Sequence, residues 1–185
     1  MSIQRAQILD ILQTLKSVES PMWLSGGVAV DFHVGHWTRP HKDLDLVAFT
    51  THRSRLEREL DARGFALADD RQWTTRWTAP GCESADVEIV FVEPASPHTG
   101  VLIIPVDDST QQRARRYQFI AGYLDPESYC ELNGLRFRTC SAEGEWLNRL
   151  VDVGLVPGRN PEPKIQHDAS LLQSLIPERR RRELL

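Results

Sequence analysis

Apolar residues at Ile3, Ala6, Ile8, Leu9, Ile11, Leu12 and Leu15 recur at helical spacing. They predict a helix over about residues 3–17 that stops before Glu19-Ser20-Pro21. Met22–Ser25 is a short apolar run of strand length, and "GGVAVDFHVG" reads as a tight turn into a helix closed by Gly35. Pro40 keeps "WTRPHKD" out of helix, and "LDLVAFT" then alternates like a strand. Leu56 and Leu60 mark one face of a helix over about 52–63, with Gly64 at its end. "FALAD", "WTTRWTA", "DVEIVFVE" and "GVLIIPV" follow as four strand-like runs between turn-prone segments. Asn133-Gly134 sits between two alternating runs and predicts a hairpin with a two-residue primed turn. Ser141 is placed to cap a helix with Glu143 and Glu145 in its first turn. "VPGRNPEP" is a linker, "KIQHDASLLQSLI" a helix packing through Ile165, Leu172 and Leu175, and "ERRRRELL" a solvated helical end.

This order predicts an α+β fold: a mixed, twisted β-sheet with flanking helices and further helices at the C-terminus. A core domain over 1–140 and a helical extension over 141–185 packed on it are the expected organisation. With 185 residues, 41% of them hydrophobic and 26% charged, the chain can bury a core without disulfides or a structural metal. Its net charge of −4 gives no general attraction to nucleic acid or anionic membrane, so a stable complex with either is not expected. Cys82, Cys130 and Cys140 are odd in number and lack metal-ligand spacing, which favours reduced thiols. Arg5 and Asp10 interrupt any signal-peptide core, and no apolar run approaches membrane-spanning length. A cytoplasmic protein is expected.

The chemistry concentrates in "WLSGGVAVDFHVGHWTRPHKDLDLVAF". Residues two apart in a strand share a face, roughly 6.6 Å apart. Asp43 and Asp45 therefore aim their carboxylates the same way, while Leu44 and Leu46 feed the core. Two such charges repel unless a cation lies between them, and carboxylate oxygens with substrate phosphates are what Mg²⁺ uses. Gly26-Gly27 lets backbone approach a ligand, the start of the following helix favours an anion, and Ser25 adds a hydroxyl. Arg39 can fork onto a phosphate and His41 can orient a carboxylate.

Trp23, Gly26, Gly27, Asp31, Gly35, Thr38, Arg39, His41, Asp43 and Asp45 form a pattern that resembles the nucleotidyltransferase superfamily with the polymerase-β type fold. Within it, the stretch is most similar to aminoglycoside 2″-adenylyltransferases and lincosamide nucleotidyltransferases. The resemblance implies transfer of a nucleoside monophosphate from a triphosphate, ATP being commonest, to a small-molecule hydroxyl with release of pyrophosphate. It implies two Mg²⁺ ions on Asp43, Asp45 and a third carboxylate on a neighbouring strand. Asp86 fits that position best, with Glu88 the alternative on the same strand face. Lys164 stands either as a triphosphate contact or as half of a surface ion pair with Asp168. Ser25, Gly26, Gly27, Arg39 and His41 complete the expected nucleotide site.

Two other readings accompany this one: an enzyme like the minimal nucleotidyltransferase antitoxins, acting on protein or tRNA, and an inactive nucleotide-binding relative. Trp73, Trp77, Tyr117, Tyr123 and Tyr129 are candidates to line an acceptor pocket. Asp107, Asp108, Asp125 and Glu127 could meet amino groups or simply solvate loops. His33, His36 and His98 show no partner pattern, which favours surface or packing roles.

Overall fold

The N-terminal periodicity becomes α1 (Arg5–Leu15), which buries Ile8, Ile11, Leu12 and Leu15 along one side. The computed structural model describes residues 2–82, 86–96, 98–104, 115–154 and 162–185. Asp107, Asp108 and most of the expected linker lie outside them. After α1 come β1 (Met22–Ser25), α2 (Gly26–Val34), β2 (Asp43–Phe49) and α3 (Arg53–Asp61). Strands β3 (Ala66–Asp70), β4 (Thr74–Thr78), β5 (Asp86–Ser96), β6 (Thr99–Ile104) and β7 (Arg115–Gln118) follow. The hairpin β8 (Tyr129–Leu132) and β9 (Leu135–Arg138) leads into α4 (Ala142–Gly154), α5 (Pro163–Leu175) and α6 (Glu178–Leu184).

Seven strands form one mixed sheet in the order β1-β2-β5-β4-β3, and the far half of β5 pairs with β6, which pairs with β7. Among the described residues β2 and β5 run parallel, and the other strand pairs of this sheet are antiparallel. The hairpin forms a separate two-stranded sheet. Its turn residues Asn133 and Gly134 both adopt positive φ, 51° and 77°, as the primed turn requires.

Alternation along β2 and β5 sorts their side chains by face. Leu44, Leu46, Ala48, Val87, Ile89 and Phe91 join the main core with residues from α1, α2 and α3. Val47 and Val92 pack on the opposite face with Trp23, Tyr123, Leu124 and Cys140. A third cluster, Val30, Trp146, Leu172 and Ile176, ties α2 to α4 and α5. Leu175 does not pack as expected: it is 44% exposed. The backbone turns extended at Ile176, and that residue is buried in its place.

Candidate active site

Asp43 and Asp45 stand at the entrance of β2 with Leu44 buried between them, so both carboxylates occupy the face away from the main core. Strand register extends the site sideways. Ser25 lies opposite Asp45, Asp45 opposite Glu88, and Glu88 opposite Arg76, a single row across β1, β2, β5 and β4. Asp86 pairs with Asp43 and Thr78 in the next row. Neighbouring strands are spaced by about 4.8 Å, so Asp45 and Glu88 are side by side. Arg76 reaches Glu88 from the far side at 3.5 Å.

This crowding shows in the acidity of Asp45, pushed up to about 7. Burial is the main cause, followed by the charges of Asp43 and Glu88; Arg149 opposes them and Glu145 adds to them. On β5, Glu88 is thus one of the acids whose charge Asp45 feels. The donor set is all oxygen, which fits a hard divalent cation. Among the described residues no three His, Cys, Asp or Glu side chains close into a ready-made metal cage. Mg²⁺ keeps few protein ligands and completes its shell with water and phosphate oxygens.

The loop before β2 is held by a buried hub. Asp31, fully buried on α2, accepts bonds from the Thr38 amide (2.9 Å) and hydroxyl (2.5 Å) on one oxygen. Its other oxygen meets His41 Nε2 at 2.6 Å. Arg39 Nη1 donates to His41 Nδ1 at 3.2 Å, and a guanidinium can only donate, so the ring proton sits on Nε2 toward Asp31. His41 therefore orients a carboxylate, that of Asp31. Arg39 forks, but onto Asp168 of α5, with bonds of 3.1 and 2.8 Å. The Lys164–Asp168 pair does not form: Lys164 pairs with Glu162 at 3.2 Å, and Asp168 is buried with Arg39. The forked, two-bond geometry of a guanidinium outcompetes a single exposed ammonium.

Both glycines are required by crowding, and Gly26 by backbone shape as well. Gly26 has φ of +70°, and a Cβ there would fall 1.9 Å from Asp45 Oδ2. A Cβ on Gly27 would fall 2.1 Å from Arg39 Nη2. The donors expected for a phosphate are already engaged. Glu145, fully buried on α4, accepts from Ser25 Oγ at 2.7 Å, the Gly26 amide at 3.2 Å and Tyr123 OH at 2.8 Å. Tyr123 is buried in this network and Trp77 in the core, so neither lines an open acceptor pocket.

A cleft of about 450 Å³ opens over the acids. Asp43, Asp45, Gly26 and Gly27 form one side, and Arg39, His41, Lys42, Arg149, Lys164 and Asp168 border it. It offers carboxylates for a cation and basic groups for a polyphosphate. Sequence reading missed Glu145 and Arg149 as members of the site. Their i, i+4 spacing, with Arg149 Nη2 3.3 Å from Glu145, was the available local signal.

Residues 7–146, about three quarters of the chain, match the family model described as aminoglycoside-2″-adenylyltransferase. The chain belongs to that family. It is by this membership an enzyme of the nucleotidyltransferase type. No curated protein matches its sequence. Among solved structures, lincosamide antibiotic adenylyltransferase LnuA bound to lincomycin superposes with a TM-score of 0.67 at 16% identity, covering 95% of this chain and 100% of its own. ANT(2″)-Ia in complex with adenylyl-2″-tobramycin gives 0.72 at 19%, covering 97% and 92%. A nucleotidyltransferase-like protein from Paracoccidioides brasiliensis gives 0.54 at 15%, covering 95% and 79%. At these identities the likeness is one of fold, and it places the family member in the nucleotidyltransferase fold.

Proposed function

We propose that this family member transfers AMP from ATP to a hydroxyl of an aminoglycoside- or lincosamide-type small molecule and releases pyrophosphate. The observation that carries the proposal is the pair of aspartates on β2 lining a cleft bordered by basic side chains, with the acids of β5 beside them in register. The two antibiotic adenylyltransferases of like fold supply the acceptor class. Asp43 and Asp45 would hold Mg²⁺, with Asp86, opposite Asp43, or Glu88, opposite Asp45, as the third carboxylate. Bound there, the metal would offset the charge that develops on the phosphoryl oxygens.

The chain's own contribution is placement. In such a transfer the acceptor oxygen bonds to the α-phosphorus, the bond to the pyrophosphate oxygen breaks, and a carboxylate takes the acceptor's proton. Asp86 or Glu88 on β5 would take that proton. Arg149 and Lys164 border the cleft, and their charge suits the β- and γ-phosphates. The Asp31–Thr38–His41 hub holds the loop that leads into β2 and so steadies the backbone that carries the paired aspartates.

Incubation with Mg²⁺, α-labelled triphosphates and a panel of aminoglycosides, lincosamides, tRNA and protein tests this reading. Label from ATP should appear on a small-molecule acceptor and vanish with Asp45→Asn. Label on tRNA or protein alone would instead support the antitoxin-like alternative.

A further inference from the structure

Apart from the row of acids, α2 presents His33 to the hairpin. His33 Nε2 lies 2.9 Å from the carbonyl oxygen of Cys140. A carbonyl only accepts, so this nitrogen carries the ring proton and Nδ1 is left as the basic nitrogen. Nδ1 faces the Cys130 sulfur at 3.3 Å, and Thr139 Oγ1 donates to the same sulfur at 3.2 Å. A nucleophile, a base within reach and a third group that orients the base are together the arrangement that activates a thiol. Cys130 is half-buried, within reach of small reagents.

We propose that Cys130 and His33 form a nucleophilic pair, a modification site for small peroxide oxidants distinct from the nucleotidyl-transfer cleft. His33 Nδ1 takes the thiol proton, and the sulfur attacks one peroxide oxygen. A sulfur–oxygen bond forms as the oxygen–oxygen bond breaks. The sulfur is oxidised by two electrons to a sulfenic acid, and the departing oxygen takes the proton from His33 to leave as water when the oxidant is hydrogen peroxide.

The surrounding groups favour the charged pair. Burial works against the Cys130 thiolate, but the bond and charge of His33 and the Thr139 hydroxyl bring the thiol below its ordinary range. His33 is raised in turn: burial opposes this, and Cys130, the Cys140 carbonyl and the charge of Glu145 on α4 outweigh it. Phe137, the residue opposite Cys130 on β9, brings no charge. Cys140 lies close by yet is pushed well above the ordinary thiol range by burial and by Glu145.

Two measurements on the full-length protein test the pair. Hydrogen peroxide with dimedone at pH 7, followed by peptide mass spectrometry, should place the sulfenic adduct on Cys130 ahead of Cys82 and Cys140. Iodoacetamide rates across pH 5.5–10 should give Cys130 a midpoint below the ordinary value of about 8.5. Each unit of lowering yields about tenfold more thiolate, offset by roughly threefold lower intrinsic reactivity, so the net gain at pH 7 is about threefold per unit. His33→Gln should raise the midpoint and remove that gain, and Thr139→Val should raise it less. If His33→Gln fails to fold, the wild-type profile and Thr139→Val still decide. A Cys82 labelled as fast as Cys130, or a Cys130 midpoint at or above 8.5, overturns the proposal.

Discussion

Asp45 carries the clearest conflict between stability and function. Its carboxyl is raised from 3.8 to about 7 in the fold, so the unfolded chain ionises first as pH rises. The group's contribution is therefore whole below about pH 4, declines through the interval up to about 7, and stays lost above it. Asp45→Asn should stabilise the metal-free protein at pH 8 by ~2 kcal/mol after allowance for its partial exposure, and leave it unchanged at pH 4. Urea unfolding of both proteins at the two pH values checks this; equal midpoint differences would contradict it. Below pH 7 the same proton competes with a cation, so transfer should weaken on the acid side.

Glycine substitutions separate two kinds of positive φ. Gly26→Ala would drive a methyl group into the Asp45 carboxylate, and a displacement of that size should cost about 10²-fold in transfer. Gly134→Ala meets nothing within 4 Å at a φ of +77°. It should cost only ~1 kcal/mol of stability and leave turnover intact. Parallel rate and unfolding measurements distinguish the two.

Among the elements, α5 is bound to the loop before β2 by the Arg39–Asp168 fork. Arg39→Lys keeps the charge but not the two-bond geometry, and should lower stability by ~1 kcal/mol. Asp168→Asn leaves the guanidinium against a neutral partner and should cost more, ~2–3 kcal/mol. Chemical denaturation ranks them. This fork also marks where sequence reading ran out. The faces of β2 and β5 were legible because period-two alternation is local: Leu44 and Leu46 fixed which way Asp43 and Asp45 point. The hairpin was legible for the same reason, since Asn133-Gly134 carries its turn type in two residues. Arg39 and Asp168 lie 129 positions apart, and Ser25 and Glu145 lie 120 apart. No local pattern announces such pairs. That Asp86 lies opposite Asp43 and Glu88 opposite Asp45 also needed the register between β2 and β5, which neither strand encodes alone.

The molecule sets its acids on the parallel pair, among the described residues, of a seven-stranded sheet, flanked on both sides by further strands. A site on central strands is held on all sides and moves little. Saturating Mg²⁺ with a non-hydrolysable triphosphate, at about 100 times its Kd, should stabilise the protein by ~2.7 kcal/mol, a rise in Tm of about 5–10 °C. Asp43→Asn or Asp45→Asn should abolish the part of that rise that depends on Mg²⁺. A rise equal in the variants would mean that the nucleotide binds elsewhere. No helix among the described residues is long and apolar enough to cross a membrane.

The matched family stretch ends at residue 146, whereas Asp168 comes from a helix beyond it. A chimera that joins this N-terminal portion to a relative's C-terminal helices would inherit Arg39 without the acid that answers it, unless the graft brings a carboxylate to the same place. Swapping tails between relatives therefore means exchanging a matched cation and anion together, and a graft chosen for its acceptor preference alone would strand a guanidinium at the mouth of the cleft.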